Sequence, residues 1–466
     1  MNLLPGPILL FVLPLLAAIV TYFVRRVAFL AALIASATAG GLAFLCWRLP
    51  LDRSAFVLGQ EVALGRPVVV MGQTLQLHSA GQLWLAFIFA LAVAFYLFAW
   101  RVSPGRSFFP FSLAILALYV LTILLEIFSM QVLVYAISVT LAVFIIQSGQ
   151  LGSVRGAQRY LVVSLLALPL LLASAWLVDP AQATAQDAAT IRRVLLPAAL
   201  GFGLLLGAFP FGTWMPALAS TTPPMVTAFV FTAGQAMALY LTLVFLQDNP
   251  VLLGSDLTLA VIQTAGLVMA VAGGVMAAVQ SSFGRLFGYA AMSDMGVLLL
   301  ALVAGNSQRG TLVLLYLISR GVIVVLMAAA LSIVRHRATT DRFADLAGVA
   351  RRLPLPTMGL ALGALALAGF PLTAGFPTHW AVYRAISGDE LLSMVLLVAS
   401  SVGIVIGLLR GLNSMLGAEP RDDVARQPLL ASLFVLAFAV LVIAIGVFPQ
   451  LLLEPASKAA QAFSLF

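Results

Sequence analysis

The sequence predicts an all-α, polytopic membrane protein. It should have about 14 transmembrane helices in a single transmembrane domain over residues 1–466, with two inverted five-helix repeats at about 107–246 and 257–416 and breaks in helices 7 and 12. Three observations point there. The chain is 63% hydrophobic and 9% charged, with mean hydropathy +1.12, more apolar surface than a soluble domain can hide. Apolar runs of spanning length follow one another along almost the whole chain. Two of those runs carry the same Phe-Pro interruption.

Runs able to span fall at about 3–24, 27–47, 82–100, 107–127, 130–147, 160–178, 194–214, 222–246, 257–279, 286–305, 311–334, 356–376, 390–416 and 429–453, judged against the ~20 residues a span needs. The first lacks a basic n-region and a small-residue cleavage site, so it reads as a span, not a signal peptide. Loops after odd-numbered spans carry 15 basic residues, among them Arg25, Arg26, Arg101, Arg106, Arg155, Arg159, Arg285, Arg335, Arg410 and Arg421; the other side carries 8, including Arg48, Arg53, Arg192, Arg384 and Lys458. The positive-inside rule then puts both termini on the non-cytoplasmic side of a cell inner (plasma) membrane. Between spans 2 and 3, Pro67–Met71 and Thr74–His78 joined through Gly72 should form a short external hairpin. The basic stretch Arg335–Pro354, with Asp341 and Asp345 interleaved, reads as a solvated connector. The Arg sit at the ends of apolar runs, which suits topology and not nucleic acid. One Cys, Cys46, excludes an internal disulfide, and three scattered His give no metal-ligand spacing.

The organising stretch is Gly201–Leu243. An apolar run ends at Pro210, passes through Phe211-Gly212-Thr213-Trp214-Met215-Pro216 and restarts at Pro223-Pro224. Pro removes a donor and clashes with the preceding turn, so the helix should break. The motif Gly207-Ala208-Phe209-Pro210-Phe211 has an echo in Ala368-Gly369-Phe370-Pro371-Leu372, each followed by a Trp, Trp214 and Trp380. The spans involved are five apart, so the echoes would have opposite orientation, as broken helices of inverted-repeat transporters do.

Three stretches carry a family resemblance. Phe209–Pro216 with Pro223-Pro224 resembles an "FPFHxWLP…P" break; Ala278–Gly296 resembles "QxDxKRLLAYSSxxxxG"; Leu365–Phe376 resembles "LAGLPPLSGF". These are motifs of the antiporter-like membrane subunits of respiratory complex I, related hydrogenases and Mrp-type cation/proton antiporters. The resemblance implies a heteromeric complex, with other membrane subunits, lipid and candidate redox subunits as partners. It also implies two half-channels joined at mid-membrane by buried Lys, Glu and His, where burial and a carboxylate neighbour make Lys a switchable proton carrier.

This sequence departs from that relay. The span 5 Glu falls near Ser138 or Thr140, the span 7 Lys near Leu205, and the span 8 positions near Phe231 and Met237. The His of the break is Gly212, the Asp and Lys before Arg285 are Ser282 and Gly284, and the residue nearest the span 12 Lys is His379. Lys458 is the only lysine in the chain. Ionisable residues within spans reduce to Glu126 at the end of span 4, Asp294 in span 10 and Arg320 in span 11. Glu126 can reach headgroups; His379 reads equally as an interfacial His or a relay member. Gln235, Gln263 and Thr264 suit polar contacts between helices or held water. With spans 10 and 11 joined near Ser307, Asp294 and Arg320 each lie about 20 Å from the turn at 1.5 Å per residue, so they should share a depth and pair. Arg titrates too high to replace a switchable Lys. The candidate polar centre is therefore Asp294, Arg320, His379, Gln235 and Glu126, with breaks at Pro210 and Pro371.

Three functions stay open. One is a membrane-arm subunit of a complex-I-like (NADH-quinone oxidoreductase-like) assembly, degenerate in pumping and mainly structural, itself the non-redox part of any such enzyme. Another is an active proton- or cation-translocating antiporter subunit. The third is an independent secondary transporter. No redox cofactor or metal can be placed, because one Cys and scattered His supply no ligand set.

Overall fold

Twelve helices among the described residues are long and apolar enough to cross a membrane, and two shorter apolar helices, Phe108–Leu124 and Pro354–Leu367, accompany them. The computed structural model describes residues 4–51, 55–57, 60–148, 154–178, 188–303, 309–387, 391–417 and 424–460; Arg53, Arg421 and the turn expected around Ser307 lie outside the described residues.

The chain opens with α1 (Gly6–Val24) and α2 (Ala28–Arg48). In a small sheet, β1 (Leu4–Pro5), just before α1, pairs with β3 (Gln60–Ala63), and β3 with β2 (Ala55–Val57). The expected hairpin is present as β4 (Val68–Val70) and β5 (Gln73–Leu75), antiparallel around Met71-Gly72. Both turn residues have positive φ, 51° and 77°, as a tight two-residue hairpin turn requires. Then come α3 (Ser79–Ala99), α4 (Phe108–Leu124), α5 (Phe128–Ile146), α6 (Arg155–Leu177), α7 (Ala188–Leu206) and α8 (Trp214–Thr221). α9 (Pro224–Asp248) contains a π-helical turn at Val230–Gly234. The short α10 (Pro250–Leu253) leads to α11 (Asp256–Ala278), α12 (Phe283–Val303), α13 (Arg309–Ala338), α14 (Pro354–Leu367), α15 (Phe376–Ser387), α16 (Leu391–Met415), α17 (Leu429–Val447) and α18 (Gln450–Ala460). The last expected span is therefore shorter than its apolar run: α17 stops at Val447, where Phe448-Pro449 turns the chain into α18.

α9, α12 and α13 are buried almost all round and form the core, whereas α1, α2, α6, α11 and α17 bury a third of their length or less. A helix apolar on every side suits either place in a membrane protein, so hydropathy alone does not separate core from rim.

Both breaks fall where the Phe-Pro echo sits. α7 ends at Leu206; Gly207 follows at φ 83°, and Gly207 and Ala208 both donate to the Gly203 carbonyl, at 3.0 and 2.7 Å. A short 3-10 turn, Phe211–Thr213, then leads into α8. α14 ends at Leu367, Gly369 takes φ 70°, and α15 starts at Phe376. In both places a left-handed glycine closes the helix. The echo is offset by one residue: Gly207 aligns with Ala368, and the left-handed role passes to Gly369.

The small-residue run Ala270–Gly274 packs inside the chain. A Cβ at Gly273 would lie 2.6 Å from the Ser293 nitrogen, and one at Gly296 2.5 Å from the Ala270 nitrogen, so α11 and α12 touch backbone to backbone. Ser293 and Ser400 both donate to the Ala270 carbonyl, at 2.9 and 2.6 Å, tying α11 to α12 and α16.

The segment after α13 is not the solvated connector its charges suggest. Arg335 pairs with Asp341 at 2.6 Å and donates to the carbonyls of Ala219 (2.7 Å) and Thr222 (2.8 Å). Asp341 accepts from the Gly284 amide at 2.8 Å, and Phe343 packs edge-on against Phe283 at 4.8 Å. Leu346 and Val349 are fully buried beneath it. The clasp caps the last carbonyls of α8 with a cation and the first amides of α12 with a carboxylate, the favourable sense of both helix dipoles.

Candidate functional site: a polar chain between the two helix breaks

α12 and α13 are neighbours in the core, and each carries one charge into it. Asp294 and Arg320 form a direct ion pair through Oδ2 and Nη1, with side chains only 1% and 2% exposed. Both side chains are shut away from the surface, so each depends on its partner and on the polar groups packed around it.

The network continues on both sides. Arg320 Nη2 donates to Gln235 Oε1 at 2.8 Å. Gln235 Nε2 donates to the Leu206 carbonyl at 3.2 Å, the last residue of α7 before the first break. On the other side Tyr316 donates to Asp294 Oδ1 at 2.8 Å. Tyr316 Oη lies 3.2 Å from His379 Nε2, and His379 Nδ1 donates to the Gly375 carbonyl, 2.9 Å away, at the end of the second break. An unbroken polar chain thus runs Leu206–Gln235–Arg320–Asp294–Tyr316–His379–Gly375, from one broken helix to the other. Ending α7 at Leu206 leaves that carbonyl open to Gln235, whereas the Gly375 carbonyl also accepts the His379 amide of the first turn of α15, at 3.0 Å. The π-helical turn directly before Gln235 shifts the phase of the rest of α9, and such turns commonly mark functional positions.

Tyr316 has one proton and two acceptors in reach, Asp294 Oδ1 and His379 Nε2. His379 Nε2 itself is 3.9 Å from Asp294 Oδ1. Beyond it, His379 meets Tyr383 edge-on at 5.9 Å, and Tyr383 Oη lies 2.9 Å from Ser401 Oγ. The arrangement can move a proton between tyrosine, imidazole and carboxylate; it cannot move one through Arg320, which does not deprotonate.

The other sequence-expected residues lie elsewhere. Glu126 is exposed in the turn between α4 and α5, outside the polar chain. Gln263 and Thr264 sit on α11, half-buried and exposed respectively. Trp380 is also exposed. In the first half of the chain, Leu205, Phe231 and Met237 are buried and apolar. Ser138 is fully buried, donates to the Tyr135 carbonyl of its own helix at 2.6 Å, and lies against the Tyr119 hydroxyl. Tyr119 and Tyr135 stack beside it, ring centroids 6.2 Å apart, and Tyr135 donates to the Gly234 carbonyl at 3.2 Å. Gly212 has no room for a side chain: a Cβ there would collide with the Gly207 carbonyl and lie 2.8 Å from Met292 Sδ. A residue the sequence did not single out, Tyr316, joins the two halves of the centre. An aromatic in an apolar helix gives no sequence signal of that role.

Comparison with known proteins agrees with this architecture. The chain is 30% identical over 275 residues to NADH-quinone oxidoreductase subunit N of Dehalococcoides mccartyi, covering 56% of each chain. It is 31% identical over 283 residues to the subunit N of Rhodococcus opacus, covering 57% of this chain and 50% of that one. The chain thus spans about half the length of the curated relatives it matches. In fold it superposes on a chain of the Mrp complex from Dietzia sp. with a TM-score of 0.82, at 20% identity, over 98% of this chain and 97% of that one. A chain of respiratory complex I from Thermus thermophilus gives 0.78, at 19% identity, over 97% and 100%. Residues 125–407, more than half of the sequence and including both breaks and the whole polar chain, match the family described as NADH:quinone oxidoreductase/Mrp antiporter, transmembrane, and the chain belongs to that family.

Proposed function

We propose that the chain is a membrane-arm subunit of a heteromeric, complex-I-like assembly, degenerate in autonomous pumping and mainly structural. Its termini would lie on the non-cytoplasmic side of the cell inner membrane, and its two breaks would belong to inverted repeats over residues 107–246 and 257–416. The observation that carries this reading is the Asp294–Arg320 pair. At the junction of the two halves stands a guanidinium, which keeps its charge, where a switching mechanism needs a group that can lose it. The buried positions in the first half support the same reading, since Leu205, Phe231 and Met237 offer no proton carrier. Both subunit N relatives belong by name to an NADH-quinone oxidoreductase, and the Mrp and complex I neighbours are parts of complexes, which supports other membrane subunits as partners. Redox chemistry would reside in partner subunits.

The His379–Tyr316–Asp294 hydrogen bonds favour one second reading, an active subunit in which the second half alone passes protons. One experiment separates the two. The purified chain in liposomes, given a Na⁺ or K⁺ gradient and an internal pH dye, should exchange neither ion for protons, while gentle solubilisation of native membranes should recover it with other membrane subunits. Robust cation/proton exchange by the isolated chain overturns the structural reading. Recovery as a solitary protein would instead point to an independent secondary transporter.

A further inference from the structure

We infer that the cleft between the α3–α4 loop and the last turn of α13 is a binding site for a phosphate-bearing anion, of the kind an anionic lipid headgroup presents. The cleft has a volume of about 660 Å³, many times the ~10–15 Å³ that holds one water. Its lining is basic and hydroxylic: Arg106, Arg335 and His336 with Ser103, Ser107, Ser148 and Ser332, and no carboxylate among them.

Three features separate this from a row of interfacial arginines. Arg335 is already committed to Asp341 and the α8 carbonyls, and so serves as a fixed wall. Arg106 and His336 make no hydrogen bond or ion pair among the described residues, so both can turn to a ligand. Ser332 is 5% exposed, lines the cleft, and its hydroxyl has no hydrogen-bond partner among the described residues. The Ser332 hydroxyl, opening on the cleft beside Arg106 and the His336 imidazole, suits an acceptor with several oxygens, which is the chemistry of phosphate. Pro104, Pro223 and Pro224 on the walls are rigid, so the site is largely preformed. The cleft lies at the arginine-rich end of the helices, where basic pockets between spans meet anionic headgroups.

The test uses the full chain, delipidated in detergent. Native mass spectrometry against cardiolipin, phosphatidylglycerol and phosphatidylcholine reads the lipid source, and thermal shift with inorganic phosphate reads the free anion. The double variant Arg106→Gln/His336→Gln should bind anionic lipid about tenfold more weakly. Arg192→Gln, at the start of the Ile191–Thr221 span whose other end adjoins the cleft at Pro223, should bind as wild type. Ser103→Glu, on the exposed rim, provides a second route to the same loss if the double variant folds poorly. Anionic-lipid selectivity lost in these variants supports a headgroup ligand. Protection by phosphate, lost in the same variants without lipid selectivity, supports a free phosphate ligand. Equal retention of phosphatidylcholine and anionic lipid with no phosphate protection, or full binding by the double variant, overturns the site.

Discussion

Breaking the Asp294–Arg320 pair from either side should give unequal losses. Asp294→Asn leaves a guanidinium at 2% exposure facing Gln235 Oε1 and a neutral amide, and a guanidinium cannot shed its charge. Arg320→Met leaves a carboxylate that keeps the Tyr316 hydrogen bond at 2.8 Å and can take up a proton to become neutral. Stranding one partner of a buried pair costs about 3–5 kcal/mol, so Asp294→Asn should fall near the upper end and Arg320→Met near the lower. Additive losses would then make the double variant about 8 kcal/mol less stable. The double variant strands no charge, so it should lose only about 3–4 kcal/mol, a coupling of about 4 kcal/mol. Reversible unfolding in mixed detergent–SDS micelles, followed by tryptophan fluorescence, reads all four corners of the cycle. Additivity to within about 0.5 kcal/mol, or a larger loss for Arg320→Met than for Asp294→Asn, would refute the reasoning.

Three further outcomes follow from the same contacts. Gln235→Leu removes the link from Arg320 to the Leu206 carbonyl and should cost about 1–3 kcal/mol in the same unfolding assay; wild-type stability would mean the first break does not need it. Gly284→Ala puts a methyl against Arg335 Nη2, with Asp341 Oδ2 at 2.6 Å and the Ala219 carbonyl at 2.7 Å, and should open the clasp at a cost of about 1–3 kcal/mol, seen as a lowered Tm and as faster proteolysis after α13. Gly273→Val would force α11 from α12, because a Cβ there already lies 2.6 Å from the Ser293 nitrogen; a folded variant with unchanged Tm would show that this contact is not close-packed.

Charge made much of the site legible in the sequence. Ionisable side chains are costly in a span, so few are present, and the even rise of a helix fixes their depth; Asp294 and Arg320 could be matched from those two facts alone. The breaks were legible because Pro and Gly act on the backbone locally. Orientation around the helix axis was not. Glu126, two residues past α4, falls in an exposed turn, and a boundary uncertain by a few residues decides between span and surface. Gln235 reads as ordinary polar contact until the π-helical turn before it is known, and no residue type announces such a turn. The run Ala270–Gly274 fits an internal or an external contact equally well, because small residues specify closeness and not the partner. Arg335 and Asp341 looked solvated because their shared target is main chain of α8 and α12, which sequence pattern does not display.

Under the proposed reading, the Arg–Asp pair, in a chain whose implied relay positions are apolar at Leu205, Phe231 and Met237, limits what the junction can do. A switchable carrier alternates between charged and neutral forms, and each change alters the field felt by the next carrier. Arg320 has no neutral form, and its partner Asp294 stands directly against it, so the pair presents a nearly constant dipole to both helix breaks. Any exchangeable proton is then confined to Asp294, Tyr316 and His379, on the α15 side of Arg320. On the α7 side the chain ends in an amide and a carbonyl, Gln235 and Leu206, which can orient a water but hold no exchangeable charge. Any proton crossing the junction would have to pass around Arg320, not through it. This is why mutating His379 should leave the ion pair and the fold of the α7 side intact, whereas mutating Arg320 should loosen both breaks at once.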